Sequence, residues 1–235
     1  PYDRYYGINA VGAVGSRNVA SAFFEIGAPI VERLELNLSG RYDDYSSGQS
    51  NFSPKVGAKF KPIDQLLVRG TWSKGFRIPS FNEAYGLPTT GYTTLAINCT
   101  TYAEFCASHQ NNTYVTGQYG LGRTSTGNPA LDPEKSTSWT LGAVFEPARG
   151  VSFTVDYFNI KVRDVIGSIS ADAQTAALDA YLRSGNTTAV PGIVVVPGIP
   201  DAQFPNARAL PGFVQFSFQN AGEERVQGID FGLDI

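Results

Sequence analysis

Apolar and polar residues alternate along several stretches of the chain, most regularly between Glu32 and Tyr45. One side of this stretch carries Leu34, Leu36, Leu38, Gly40 and Tyr42. The other side carries Arg33, Glu35, Asn37, Ser39, Arg41 and Asp43. A period of two predicts a β-strand with one apolar and one polar face, and a run of about ten residues is long for a globular strand.

The same alternation recurs along the chain, and together the segments predict about eight strands. These strands lie near residues 18–27, 32–45, 51–61, 66–75, 138–146, 151–162, 213–220 and 228–235. Short links at 29–31, 62–65 and 147–150 alternate with long ones at 79–135 and 164–211. Loops of the latter length are uncommon inside compact domains and are usually functional. A short helix is expected within the second long loop at 171–183, although its apolar residues form no strong stripe. The residues after it, 190–205, predict an irregular segment broken by prolines.

Two all-β architectures fit this pattern. Short turns at one end and long loops at the other favour an antiparallel transmembrane β-barrel of the outer-membrane type. A soluble antiparallel sandwich remains an alternative, because its strands also alternate. Opposite charges on the polar faces and the length of the strands favour the barrel.

Composition narrows the function classes. The net charge is −3, which gives no sign of a nucleic-acid partner. A single histidine and two cysteines do not favour a His/Cys metal site, and no cofactor is expected. No run of about 18 apolar residues is present, so no transmembrane helix is predicted. Because Met is 0 and the last residues form a predicted strand, we expect the chain to be part of a larger protein.

Five segments, by their order and spacing, resemble the barrel of TonB-dependent outer-membrane receptors. They are RYDDYS (41–46), SPKVGAKFKP (53–62), SKGFRIPSFNE (73–83), NPALDPEKSTSWTLG (128–142) and FTVDYFNIKVRDVI (153–166). The resemblance implies that residues 1–235 form part of a β-barrel domain of about 22 strands in the outer membrane of a Gram-negative bacterium. It also implies long extracellular loops and short periplasmic turns, with the plug domain and the closing strands outside this chain.

The resemblance further implies active transport. Such receptors bind a scarce nutrient (a ferric siderophore, haem, cobalamin or an oligosaccharide) and import it with energy from the TonB complex. TonB acts through the plug and its TonB box, and the lipid bilayer surrounds the barrel. A passive porin or an adhesin-type barrel is the alternative function. An outer-membrane enzyme is less favoured, since His109 is the sole histidine and no G-x-S-x-G element occurs.

The candidate binding residues lie in the first long loop and at its base. Arg77 precedes the strand-ending Pro79, where it can clamp neighbouring loops or meet the plug. It either pairs with a carboxylate in the rim as a structural arginine or contacts ligand directly. The loop tyrosines can either stack on a ligand or pack together to order the loop; they are Tyr92, Tyr102, Tyr114 and Tyr119.

Two cysteines and the histidine share this loop. Because an external loop is in an oxidising compartment, we expect Cys99 and Cys106 to form a disulfide, with two free thiols as the alternative. His109 is expected to be a polar loop residue rather than an iron ligand.

Overall fold

The computed structural model describes residues 12–235 and contains eleven strands and four helices. The strands are β1 Val19–Val31, β2 Leu34–Tyr45, β3 Ser50–Ile63, β4 Leu66–Arg77, β5 Thr89–Ala96, β6 Gln118–Thr126, β7 Glu134–Ala148, β8 Val151–Gly167, β9 Ile193–Pro197, β10 Pro211–Ser217 and β11 Gln219–Asp234. The helices are α1 Phe81–Tyr85, α2 Ala103–Ser108, α3 Thr113–Thr116 and α4 Ala171–Ser184. No helix within 12–235 has the length and apolar character needed to cross a bilayer.

The longest strands form one sheet, which we call the wall sheet, in the order β1-β2-β3-β4-β7-β8-β11. The neighbouring strands from β1 through β8 in this sheet pair antiparallel. The prediction of long antiparallel strands joined by tight turns is confirmed. The predicted strand at 213–220 is wrong in one respect: residues 211–217 form β10 of a different sheet, and the next wall strand begins at Gln219.

One face of the wall sheet is apolar across its whole width. In register, Ile26 lies opposite Leu38, Leu38 opposite Val56, and Val56 opposite Trp72, which pairs with Trp139. These side chains are exposed rather than packed, as shown by Ile26 at 52% and Trp139 at 56%, except for Trp72, which is half-buried. Exposed apolar surface this extensive marks a face that contacts lipid or another protein.

The opposite face carries ion pairs that join different strands of the sheet. Lys59 Nζ lies 3.7 Å from Glu35 Oε1. Arg69 Nη2 donates to Asp156 Oδ2 at 2.6 Å, although β7 lies between their strands. Gly142 makes this pair possible, because a Cβ at that position would stand 1.8 Å from Asp156 Oδ1. Positive and negative side chains on this face therefore neutralise one another in pairs.

A second, four-stranded sheet contains strands from both long loops, and we call it the loop sheet. Its order is β5-β6-β10-β9, and the pairing of β6 with β10 is parallel while the other two pairings are antiparallel. The expected irregular, proline-broken segment at 190–205 is partly wrong, because residues 193–197 form β9.

Helix α4 confirms the predicted helix at 171–183 and begins at the N-cap Ser170, whose side chain accepts from the Ala173 amide. It ends at Gly185, which adopts the left-handed conformation with φ 77°. The prediction of no strong apolar stripe is wrong: the buried positions recur at the helical spacing of three and four, namely Gln174, Ala177, Leu178, Tyr181 and Leu182.

Candidate functional site

The two long loops fold together into one compact unit containing residues 80–131 and 166–219, which we call the loop body. Its core joins residues from β6, α4, β9 and β10, including Leu121, Tyr181, Val195 and Val214, each no more than 1% exposed. The parallel β6–β10 ladder pairs Gly122 with Phe213. The two loops therefore fold as one unit, because each supplies part of the other's core.

A disulfide joins Cys99 and Cys106 in the first loop segment. Cys106 is fully buried in the core of the loop body, beside Phe105 and Val115. The bridge ties the second half of α2 to the segment that follows β5, so the irregular residues between them keep a fixed path.

Two of the candidate tyrosines hold segments of the loop body together. The Tyr102 hydroxyl donates to Asp179 Oδ1 on α4 at 3.1 Å, and the Arg183 guanidinium lies 5.3 Å from the Tyr102 ring centre. Burial and then the Asp179 contact raise the pKa of Tyr102. Tyr114 hydrogen-bonds the side chain of Asp201, and burial together with this bond raises the pKa of Tyr114 to about 12.

The other two candidate tyrosines differ sharply from each other. Tyr119 packs against the core, its hydroxyl has no hydrogen-bond partner among the described residues, and burial raises its pKa. Tyr92 is 60% exposed on β5, with its ring centre 6.3 Å from that of Phe213. Of the four, Tyr92 presents the most accessible aromatic face for a ligand.

His109 lies inside the loop body and is 1% exposed. Its Nδ1 is 2.9 Å from the Phe105 carbonyl oxygen, and its ring packs edge-on against Tyr114 and Phe204. Within residues 12–235 no group of three or more His, Cys, Asp or Glu is arranged to hold a metal ion.

Arg77 lies at the last position of β4, directly opposite Glu134 at the first position of β7. Its guanidinium makes a two-pronged contact with the carboxylate, Nε to Oε2 at 2.7 Å and Nη2 to Oε1 at 2.6 Å. Since the first long loop runs between these two residues in sequence, the ion pair closes the base of that loop. This geometry is that of an arginine paired with a carboxylate at the rim, and a contact of Arg77 with the plug or with ligand stays a prediction.

Sequence reasoning missed the acidic partners of these residues. Asp179 and Asp201 lie in the second long loop, and they reach tyrosines that precede them by 77 and 87 residues in the chain. The parallel pairing of β6 with β10 joins the two loops, and alternation patterns carry no signal of such long-range pairing.

The chain resembles known receptors in both sequence and structure. The family model described as "TonB dependent receptor-like, beta-barrel" matches residues 1–235. The probable TonB-dependent siderophore receptor PirA of Acinetobacter baumannii is 25% identical over 175 residues, which cover 73% of this chain and 20% of the relative. The crystal structure of the siderophore receptor PirA from Acinetobacter baumannii matches with a TM-score of 0.59 and 19% identity, covering 92% of this chain and 25% of that one.

A ferric enterobactin receptor from Pseudomonas aeruginosa, solved with enterobactin bound, shares the same fold. Its TM-score is 0.59 at 14% identity, covering 92% of this chain and 24% of that structure. This chain spans about a fifth of the length of the curated relatives it matches, 20% and 19%. The wall sheet is accordingly part of a larger β-barrel, as the resemblance implied, and the soluble sandwich is excluded. With the family model matching across its whole length, the chain belongs to the TonB-dependent receptor family.

Proposed function

We propose that this chain is part of an outer-membrane receptor that binds a ferric siderophore at the cell surface and imports it with TonB-coupled energy. The observation that carries the proposal is the family match over residues 1–235. The siderophore is favoured over haem, cobalamin and oligosaccharides because the curated relatives include a probable siderophore receptor and an iron-regulated outer membrane virulence protein.

In this proposal the loop body lies on the extracellular side and the short turns lie on the periplasmic side. The remainder of the receptor supplies the plug domain, through which TonB acts, and the further strands that complete the barrel. The apolar face of the wall sheet contacts lipid, and the charged face lines the barrel interior.

The ligand is proposed to meet the loop body at Tyr92, whose ring is exposed and available for stacking. Tyr102, Tyr114 and Tyr119 contribute by holding the loop body in shape, since their hydroxyls and rings are engaged within it. Arg77 contributes through its ion pair with Glu134 at the base of the loop.

Uptake of radioactive iron by cells that carry the full receptor tests the proposal. Cells should take up iron supplied as a ferric siderophore when TonB is present and fail to do so when it is deleted. Haem, cobalamin and oligosaccharides supplied to the same cells serve as ligand controls. Uptake that does not require TonB, together with rapid swelling of receptor-containing liposomes in small sugars, would instead support a passive porin.

The contribution of Tyr92 is tested by direct binding of the ferric siderophore to the purified receptor. Tyr92→Ala should weaken binding by about tenfold, in line with the loss of about 1–1.5 kcal/mol of aromatic contact. Tyr92→Phe should retain most of the affinity, because it keeps the ring. Unchanged binding by Tyr92→Ala would remove Tyr92 from the site.

A further inference from the structure

The loop sheet has one face packed against α4 and an outward face that carries Tyr92. We propose that this outward face selects ferric siderophores that carry no net charge and disfavours strongly anionic ones. The inference rests on the proposed function, because it specifies the class of siderophore that the receptor takes up.

An apolar row crosses the outward face from β5 to β9. Tyr92 of β5 lies opposite Gly122 of β6, which lies opposite Phe213 of β10, and Val196 of β9 continues the row. A Cβ at Gly122 would stand 2.1 Å from Phe213 Cδ1, so the Phe213 ring lies against bare backbone. The centre of this ring is 6.3 Å from that of Tyr92. The two rings therefore form one continuous aromatic surface that a ligand can cover.

The neighbouring row on the outward face is largely polar but carries no charge. Thr90 lies opposite Thr124, with their hydroxyl oxygens 2.8 Å apart. Gln215 lies between Thr124 and Val194 and is exposed. Across β5, β6, β9 and β10, no outward position is occupied by Asp, Glu, Lys or Arg. The outward face can therefore offer a ligand apolar contact and neutral hydrogen bonds, but no counter-ion.

The arginines of the loop body are engaged away from the outward face. Arg123 is the one charged residue within the four strands of the loop sheet, and it donates to Gln174 Oε1 on α4, on the packed face. Arg183 pairs with a carboxylate of α4 at 2.9 Å. Arg208 donates from Nη1 to two backbone carbonyls at the end of the same helix. None of the three guanidinium groups therefore compensates an anion that lies on the outward face.

The loop body as a whole has an excess of negative charge. Its residues 80–131 and 166–219 contain those three arginines and no lysine. They also contain five carboxylates, on Glu83, Glu104, Asp172, Asp179 and Asp201, so the arginines leave a formal charge of −2. A field of this sign opposes the approach of an anion and leaves the approach of a neutral complex unaffected.

Ferric complexes differ in charge according to the groups that hold the iron. Three hydroxamates, each singly negative, neutralise ferric iron, whereas three catecholates, each doubly negative, leave the complex strongly anionic. The faces of aromatic rings are electron-rich, so they favour cations and neutral apolar groups over anions. An anion held against Tyr92 and Phe213 would lose water without gaining a partner, which is costly. The outward face therefore suits a hydroxamate complex, which carries no such cost.

The test measures the binding of two synthetic ferric chelates to the purified full receptor. The two chelators share one tripodal backbone and differ only in whether its three arms end in hydroxamates or in catecholates. The hydroxamate complex should bind about tenfold more tightly, and its affinity should change little with salt. Equal affinities, or tighter binding of the catecholate complex, would overturn this inference and leave the proposed function intact. Binding of neither complex would contradict both.

A lysine placed on the outward face provides a second arm of the test. Gln215→Lys adds a cation in the row beside Phe213 and should tighten binding of the catecholate complex by about fivefold. The matched control is Ala176→Lys, which adds the same charge at an exposed position of α4, on the packed side of the loop sheet. Equal tightening by the two variants would show that total charge, rather than the outward face, sets the preference, and would overturn the inference. Both positions are exposed, so neither substitution removes a packed side chain.

Discussion

Replacing Leu38 with arginine tests which face of the wall sheet contacts lipid. The outward positions of β2 run from Leu34 to Tyr42, about 27 Å along the strand at about 3.4 Å per residue. At a strand tilt of about 40° this row spans about 20 Å of bilayer depth, and Leu38 lies at its centre. Arginine on the lipid face near the midplane costs about 2–4 kcal/mol, so we expect Leu38→Arg to destabilise the receptor by that amount.

The matched control is Asn37→Arg, one residue away on the opposite face. Asn37 lies between Gly27 and Gly57 in register, and its amide donates to Glu25 Oε1 at 3.3 Å. An arginine there has room and a carboxylate within reach, so we expect a change within about 0.5 kcal/mol. Urea unfolding of the full receptor from lipid vesicles, followed by the heat-dependent shift in gel mobility, measures both. Equal costs for Leu38→Arg and Asn37→Arg would refute the assignment of the faces.

Three further perturbations address the loop and its base. Arg77→Ala should remove about 1 kcal/mol of local stability and lower siderophore uptake while the folded receptor stays in the membrane. Uptake by the variant at the wild-type rate would reject a role for this ion pair. Replacing both Cys99 and Cys106 with alanine opens a ring of about eight residues and should cost about 2.5 kcal/mol of local stability. Proteolysis of the loop should then be faster, and treating the wild-type receptor with reductant should have the same effect. The Tyr114 phenol has a pKa raised to about 12 from 10.0, so its stabilising effect is complete below pH 10 and is lost as the pH rises from about 10 through about 12. Proteolysis of the loop should accelerate over that range in the wild-type receptor and accelerate less in Tyr114→Phe, in which the raised pKa values of Tyr102 and Tyr119 still contribute.

Features of the structure that have a local cause in the sequence could be predicted, whereas features that depend on contacts between distant residues could not. The wall strands follow from alternation, because each strand has one lipid-facing and one polar side regardless of its neighbours. The base of the first loop was also foreseen, since Pro79 ends strand pairing and leaves Arg77 at the strand end. The loop body was not foreseen, because the β6–β10 ladder joins Gly122 to Phe213 across 91 residues of sequence.

The candidate tyrosines show the same limit. Spacing and residue type placed Tyr92 and Tyr119 in one loop, yet one is exposed and the other packs against the core. Tyr119 packs against a core to which helix α4 contributes Tyr181, and the buried stripe of α4 includes Gln174, which accepts from Arg123 at 2.7 Å. A polar residue in that stripe weakens the periodic signal, and so the helix face was not recognised.

The parallel ladder between β6 and β10 has a consequence for how such receptors diversify. Because residues 118–126 and 211–217 share backbone hydrogen bonds, neither loop can be exchanged for one of another length or sequence without a matching change in the other. Chimeric receptors that carry both segments from a single donor should fold, whereas chimeras that carry only one should expose the loop body to proteolysis. Antibodies raised against either peptide alone should therefore miss the shape that the joined segments present.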